Sequence, residues 1–319
     1  MIKTIIRRLI IMIPQLFVIS CVTFALQWLM PGDFISNQLQ DLPITEIMRM
    51  RDQLGLDDPW FQQFWRWLGS ILRGDFGISF VHHRPVMDII HHRMINTFWL
   101  SLVSTIILFS IAIPLGIIAG RFNRRLPDKI ILLYGFIGLA LPNLVYGILL
   151  IFVFGIRLGW LPARGTVDVF AVGTGFGYFV SRLRHMILPA ITLSTFGGIM
   201  TIYTFRAQII DGKSSDYATT ARSKGVPERV IFNKHILRNS MIPFAQSIGF
   251  IFVGLLAGAV LVEQIFMYQG MGELFVSSIV RQDNAVASAL ILIFSSLTVV
   301  GVLIGDIALT IVDPRIRIK

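Results

Sequence analysis

The residues best placed to do chemistry lie in one polar stretch, Asp211 to Pro243, in a chain that is otherwise mostly apolar. Seven of the 28 lysines and arginines fall between Arg206 and Arg238, and strongly apolar segments adjoin the stretch on both sides. Basic clusters at the ends of apolar runs are typical of segments on the cytosolic surface of a membrane. The stretch is long enough to form short helices there and to meet a soluble partner.

The same stretch does not have the pattern of a nucleotide site. Gly212-Lys213-Ser214 matches the end of a phosphate-binding loop, but Ala207 stands where the first glycine of that loop belongs. No strand pattern precedes it, and the loop needs a strand before it and a helix after it. The chain therefore cannot bind ATP by this route.

Local signals predict two short helices joined at a glycine. The pair Ser214-Ser215 can cap a helix that runs to Lys224, and Gly225 tolerates the left-handed position at which that helix ends. Pro227 suits the first turn of a second helix, with Glu228 favoured near its positive end.

Residues 217–225, YATTARSKG, with Arg238-Asn239 and Pro243, resemble the EAA loop of bacterial ABC importer permeases. The spacing from Gly225 to Pro243 suits the peptide and nickel branch of that family. Ser223 and Pro227 depart from the usual pattern. The alternative interpretation is a basic cytosolic loop that merely obeys membrane topology.

The resemblance implies a coupling helix seated in a groove of an ATPase. Tyr217, Ala218 and Ala221 would form its apolar contact face, Arg222 and Lys224 would supply polar contacts, and Gly225 would set the turn. The whole implied coupling set is Asp216, Tyr217, Ala218, Ala221, Arg222, Lys224, Gly225, Arg238, Asn239 and Pro243. The implied partners are two ATPase subunits, a second homologous permease, an extracytoplasmic substrate-binding protein and membrane lipid.

Other kinds of chemistry find little support. His82-His83 and His91-His92 could bind nickel or zinc, but the pairs lie seven residues apart and lack a fixed carboxylate partner. Cys21 is the only cysteine, which excludes a disulfide framework. Hydrolase and metalloprotease motifs are missing from the sequence. We expect no cofactor, no resident metal and no catalytic activity in this chain.

Composition identifies a membrane protein. The chain has 319 residues, of which 55% are hydrophobic and only 14% charged. A soluble domain could not hide that much apolar surface. The net charge of +10 could suggest nucleic acid. The basic residues stand at the ends of apolar runs, however, so membrane topology explains them better and we expect no nucleic-acid partner.

The pattern predicts an all-α integral membrane protein with six transmembrane helices, and the resemblance implies the type I ABC permease fold. An amino-terminal signal peptide is disfavoured because the first apolar run continues too far. The predicted spans are 9–30, 97–120, 130–156, 187–208, 242–263 and 285–307. The predicted cytosolic parts are 1–8, 121–129, 209–241 and 308–319, and the predicted external parts are 31–96, 157–186 and 264–284.

Lysine and arginine set the predicted orientation. With the amino terminus inside, the cytosolic segments hold 17 basic residues, counted with Arg206 at the cytosolic end of the fourth span and including all six lysines, against 11 outside. Both termini and the polar stretch are therefore expected in the cytosol. In the long external segment, the aromatic cluster from Trp60 to Leu68 predicts a helix lying in the membrane interface.

The residues within the predicted spans bear on how transport would be driven. Within the predicted spans no ionisable residue lies near the middle of the membrane, which disfavours a proton- or sodium-driven transporter. Three Gly-x-x-x-Gly elements allow close helix packing, for which internal packing is the simplest role. The resemblance then implies a permease subunit that forms half of a pathway for short peptides, with nickel chelates or another small solute as the alternative cargo. A passive channel or a membrane scaffold is the alternative of another class.

Overall fold

The computed structural model describes residues 2–29, 58–79, 81–168, 175–241, 251, 253–254 and 260–312. Its main helices are α1 (Ile2–Leu29), α2 (Trp60–Leu72), α3 (Val86–Arg121), α4 (Leu126–Ala140), α5 (Asn143–Leu150) and α6 (Phe176–Ser214). They are followed by α7 (Asp216–Ser223), α8 (Glu228–Val230), α9 (Leu237–Ser240), α10 (Val260–Ile265), α11 (Met271–Val280) and α12 (Asn284–Val312). Two π-helical stretches, Ile151–Arg157 and Ile231–Ile236, continue α5 and join α8 to α9.

The all-α class is confirmed. In the described part of the chain, strand structure is limited to the antiparallel pair β1 (Ile78–Ser79) and β2 (Arg84–Pro85). Four helices are long and apolar enough to cross a membrane, namely α1, α3, α6 and α12. A fifth candidate is the pair formed by α4 and by α5 with its π-helical continuation.

Pro142 breaks the predicted span 130–156. The two parts of that span meet at an angle of 96°. Proline lacks an amide hydrogen and disfavours the helical conformation of the residue before it. Leu141 is accordingly extended, with ψ of 123°, and a new helix starts after Pro142.

Two helices extend into segments that the sequence pattern assigned to external loops. Helix α3 begins at Val86, directly after Pro85, and not at residue 97. Helix α6 begins at Phe176 and runs through Pro189 to Ser214. Charged and polar residues in these extensions hid the helical continuation. Proline inside α6 is tolerated because neighbouring helices support a membrane helix around it.

In the carboxyl-terminal half, the helices agree in part with the spans predicted from the sequence. Helix α12 matches the predicted span 285–307, while the predicted external loop 264–284 contains the helix α11. Only 251, 253–254 and α10 are described in the predicted span 242–263, so most of that prediction lies outside the described residues. The tail motif at 313–317 lies outside them as well.

The central contact is between α3 and α6, the most extensive helix pair among the described elements. A Cβ on Gly116 would stand 2.6 Å from the Cβ of Phe205, and one on Gly120 would stand 2.7 Å from the Cβ of Ile209. Two glycines four residues apart thus receive two large side chains four residues apart. The first Gly-x-x-x-Gly element therefore serves packing inside the chain, as expected.

Helix α1 packs on α12 at the edge of the described fold. The Nε of Arg8 lies 3.0 Å from a carboxylate oxygen of Asp306, which joins the start of α1 to the last third of α12. Phe64 of α2 is buried against Phe17 and Phe24 of α1. The two helices at the ends of the chain are therefore neighbours, and α2 leans on the first of them.

Candidate functional site: the coupling knuckle

The polar stretch forms a helix-turn-helix unit, which we call the knuckle (residues 213–240). Helix α7 ends in two bonds of the Schellman type: the amide of Gly225 donates to the carbonyl oxygen of Arg222 at 2.9 Å, and the amide of Val226 donates to that of Ala221 at 3.1 Å. Gly225 has φ of +74°, the left-handed conformation predicted for it. The chain therefore reverses sharply and the second helix starts after Pro227.

The prediction that the Ser214 and Ser215 side chains cap α7 is wrong. Ser215 does precede α7, but its hydroxyl donates to the carbonyl oxygen of Gly212 at 2.7 Å. Ser214 belongs to the end of α6, and its hydroxyl donates to the carbonyl oxygen of Asp211. Both hydroxyls therefore bond the last turn of α6 instead of the free amides of α7, because α6 runs further than the sequence suggested.

One face of α7 is buried inside the chain. Ala218 has no exposed surface and contacts a cluster that also contains Ile209, Ile231, Phe232 and Ile236. Ala221 is partly buried against the same cluster. The expectation that Ala218 belongs to an outward contact face is therefore wrong. Its small side chain instead lets α7 lie close to α6 and to the π-helical stretch.

The opposite face of the knuckle is open to solvent. Asp216, Tyr217, Lys224 and the pair Arg238-Asn239 are all exposed. Tyr217 is 37% exposed, and its hydroxyl approaches Gly212 so closely that a Cβ there would lie 2.9 Å away. Pro243, the last residue of the predicted set, lies outside the described residues. The outward surface is thus polar and basic, with one aromatic ring.

Arg222 stabilises the turn through three hydrogen bonds. Its Nε and Nη2 donate to the two carboxylate oxygens of Glu228 at 3.0 and 2.9 Å, and its Nη1 donates to the carbonyl oxygen of Lys213 at 2.9 Å. The hydrogen bonds from Arg222 lower the pKa of Glu228, and the same bonds raise the pKa of Arg222. Arg222 therefore joins three segments within the chain, a role that the resemblance did not assign to it.

Lys213 ties the knuckle to α3. Its Nζ donates to the carbonyl oxygens of Gly120 and Arg121, each at 2.7 Å. These carbonyls end α3, where helices leave acceptors unsatisfied and favour positive charge. The guanidinium of Arg121 in turn lies 5.2 Å from the ring centre of Phe232. A displacement of the knuckle would therefore act directly on the end of α3.

A partly buried ion pair at the same end joins α4 to α6. The Nε and Nη2 of Arg206 donate to the two carboxylate oxygens of Asp128 at 2.6 and 2.9 Å, and the amide of Arg124 also donates to Asp128 at 2.7 Å. Asp128 is almost wholly buried. This pair was not predicted from the sequence. The available signal was a single acid within the basic turn 121–129.

A second polar centre was missed at the other end of the fold. Glu263 is fully buried, and its carboxylate accepts hydrogen bonds from the Thr97 hydroxyl at 2.8 Å and from the amides of Gly272 and Glu273 at 2.7 and 3.1 Å. It therefore caps α11 and fastens it to α3 and α10. Only glycine fits at 270, because a Cβ there would lie 2.4 Å from this carboxylate.

Further contacts of the segment around Glu263 with α3 involve Tyr268 and Arg93. The Tyr268 hydroxyl donates to the carbonyl oxygen of Asn96 at 3.2 Å, and burial raises the pKa of Tyr268 to about 12. Arg93 pairs with Glu273 at 2.8 Å. The segment from 263 to 273 is thus fixed to the start of α3 by several bonds, although the sequence pattern indicated only a loop.

The histidine pairs are not grouped with carboxylates in the described part of the chain. The rings of His91 and His92 lie 6.1 Å apart. Within the ranges that the structure describes, no group of three or more histidine, cysteine, aspartate or glutamate side chains could hold a metal ion.

Comparisons with known proteins decide the family. Residues 112–318 match the binding-protein-dependent transport system inner membrane component, and residues 1–102 match the N-terminal companion family of that component. The chain belongs to this family. It is 40% identical to the oligopeptide transport system permease protein AppB of Bacillus subtilis, over 98% of both chains. It is 36% identical to the glutathione transport system permease protein GsiC of Escherichia coli K12, over the whole of both.

The predicted membership among ABC importer permeases of the peptide branch is therefore confirmed. The chain is a permease subunit of an ABC importer and a multi-pass protein of the bacterial plasma membrane. Membership in this family implies ATPase and substrate-binding partners.

Proposed function

We propose that this permease forms half of a translocation pathway for short peptides and is driven through the knuckle. The observation that carries the proposal is the construction of the knuckle: α7 is buried on one face, open on the other, and bonded to α3 and α6 through Lys213 and Arg222. Support for peptide as cargo comes from relatives named for oligopeptide and glutathione transport, glutathione being a tripeptide.

The architecture in this proposal has six transmembrane helices and both termini in the cytosol. Besides the five candidate spans described above, it includes the predicted span 242–263, which is the fifth along the chain and whose last residues are in α10. Excess lysine and arginine on the cytosolic side supports this orientation. Six helices supply only half of the wall that a peptide-sized passage needs. A second homologous permease, related by a pseudo-two-fold axis, supplies the rest in this type I arrangement.

Force enters through the exposed surface of the knuckle. Two ATPase subunits close on ATP and draw the two knuckles of the permease pair together. The buried contacts of Ala218 transmit this displacement to α6, and Lys213 transmits it to the end of α3. The helix bundles rock, the passage opens outward to a substrate-binding protein, and hydrolysis resets it.

The test replaces Gly225. A β-branched residue in the left-handed conformation is strained by about 1–2 kcal/mol, so Gly225→Val should deform the knuckle, whereas Gly225→Asn should tolerate the same φ. We expect peptide uptake into proteoliposomes holding the complete transporter to be lost for the valine variant and kept for asparagine. Gly159→Val is the matched control, because Gly159 has φ of +62° and open space around it, like Gly225.

Two measurements separate the possible failures. Co-purification of the ATPase subunits reports assembly, and ATP hydrolysis without uptake reports loss of coupling. Normal peptide uptake by Gly225→Val would contradict the proposed route of force. Uptake of another solute in place of peptides by the unaltered transporter would contradict the proposed cargo alone.

A further inference from the structure

Several apolar side chains of helix α2 are not covered by the described residues. Phe64 is 6% exposed and packs against α1, but Phe61, Trp65 and Leu72 are 48%, 59% and 80% exposed. These three lie four and seven residues apart, so they share one side of the helix. Gln63, Arg66 and Ser70 are spaced three and four residues apart and share the opposite side.

Ring contacts fix how α2 lies on α1. Trp65 contacts Phe17, with ring centres 6.2 Å apart, and Trp67 contacts Phe24 at 5.5 Å. Phe17 and Phe24 are seven residues apart, or about 10 Å along α1. The side of α2 that carries Trp65 therefore faces the amino-terminal end of α1.

The orientation of α1 across the membrane determines which side of α2 faces the interior of the bilayer. In the proposed topology the amino terminus is cytosolic, so the side of α2 with Trp65 faces the interior of the bilayer. Phe24 lies five residues from Leu29, or about 8 Å below the outer end of α1. Helix α2 thus crosses α1 within the outer half of the span Ile6–Leu29.

The uncovered surface of α2 is continuous with a surface of α1 that faces lipid. Phe17, the ring that Trp65 contacts, is itself 45% exposed, and Val18 beside it is 58% exposed. Both belong to a span of which little is buried by the rest of the chain. Acyl chains that cover this part of α1 would therefore also cover Trp65.

We propose that α2 lies in the outer leaflet of the bilayer, with Phe61, Trp65 and Leu72 inserted among the acyl chains. Aromatic and aliphatic side chains on one side, with polar ones opposite, are what a helix needs in that position. Gln63 and Ser70 then face the headgroups. Arg66, paired with Asp58, extends its aliphatic stem toward the same polar region.

Spin labels two residues apart test the proposal. In a Cys21→Ser background, Leu72→Cys places a nitroxide on the apolar side, and Ser70→Cys places the matched control on the polar side. The full chain is reconstituted with its partner subunits in phospholipid vesicles, and peptide uptake confirms that each variant is folded. Collision of the label with oxygen, which concentrates in hydrocarbon, is compared with collision with a water-soluble nickel chelate.

We expect oxygen collisions to dominate at 72 and nickel-chelate collisions to dominate at 70. Equal access of the nickel chelate to both positions would place α2 in water and overturn the proposal. A label at 72 that neither reagent reaches would show a protein occupant and would overturn it too. The inference depends on a cytosolic amino terminus, which sided labelling of the chain tests separately.

Discussion

Glu263 is a buried carboxylate whose neighbours are donors and not cations. Two backbone amides and one hydroxyl point at it, all belonging to Thr97 and the first turn of α11. A carboxylate at a helix amino terminus satisfies free amides and interacts favourably with the helix dipole. Its removal would leave these donors buried without an acceptor.

We therefore expect Glu263→Ala to lower the free energy of unfolding by about 3 kcal/mol. The substitution would leave buried donors without an acceptor and would also create a cavity, and these two costs add. Glu263→Gln should be milder, because its amide oxygen can still accept from Gly272 and Glu273. Thermal unfolding of the detergent-purified chain measures both. Equal midpoints for the alanine variant and the unaltered protein would contradict the capping role.

The pair Arg222–Glu228 makes a prediction about pH. Arg222 lowers the folded-state pKa of Glu228, so the stabilisation is present above the unfolded pKa of about 4.3 and is lost as pH falls through the folded pKa. Protease resistance of the knuckle should therefore stay constant above the unfolded pKa of Glu228 and decline as pH falls below it.

A charge swap checks the same pair. Both side chains are more than a third exposed, so Arg222→Glu should weaken the knuckle by at most about 1 kcal/mol from the lost pair. Adding Glu228→Arg should restore protease resistance, because the pair is re-formed with its signs exchanged. A double variant as sensitive as the single one would show that the bond from Arg222 to the Lys213 carbonyl matters more.

At the scale of elements, the fold depends on how closely α3 approaches α6. Large residues on α6 fill the spaces that Gly116 and Gly120 leave on α3, so the two backbones can pack tightly. The contact brings the end of α3 within reach of Lys213, just before α7 starts. Close packing of two membrane helices thus determines where the knuckle is anchored.

Gly116→Ala should therefore destabilise the α3–α6 pair by about 1–3 kcal/mol, because the added methyl group overpacks against Phe205. Gly177→Ala, in α6 with no neighbouring atom within 4 Å, is the matched control and should be neutral or slightly stabilising. Thermal unfolding in detergent compares the two variants. Similar midpoints for both would mean that α6 shifts to accept the methyl group without strain.

At the scale of the whole molecule, the knuckle and the Glu263 centre belong to opposite ends of the bundle. Lys213 binds the carboxyl end of α3, whereas Thr97 lies near its beginning, more than 20 residues earlier. At 1.5 Å per residue that separation is about 35 Å, which is enough to cross a membrane. The proposed topology puts the first centre in the cytosol and the second outside.

Sided labelling tests this placement. In a Cys21→Ser background, Thr220→Cys lies on the exposed surface of the knuckle and Arg164→Cys lies in the predicted external loop. In intact cells we expect a membrane-impermeant maleimide, applied to the outer side of the plasma membrane, to label the cysteine at 164 and to reach the one at 220 only after lysis. The reverse pattern would overturn the topology, and labelling of both before lysis would place the knuckle outside.

Local rules determined much of this protein from its sequence. The apolar runs predicted four helices that are long and apolar enough to cross a membrane, because a bilayer requires a set length of apolar helix. Gly225 predicted the turn, because few residues adopt its φ. The loop motif was specific enough to identify the family. These features depend on a residue and its immediate neighbours along the chain.

Tertiary structure alone decided the partners of the polar side chains. Asp128 and Arg206 are 78 residues apart, and Glu263 and Thr97 are 166 apart, so no periodicity in the sequence pairs them. The inward position of Ala218 likewise depends on Ile231 and Ile236, which reach it only after the chain turns. Contacts between distant segments exist only once the helices have packed, because their energy depends on that packing.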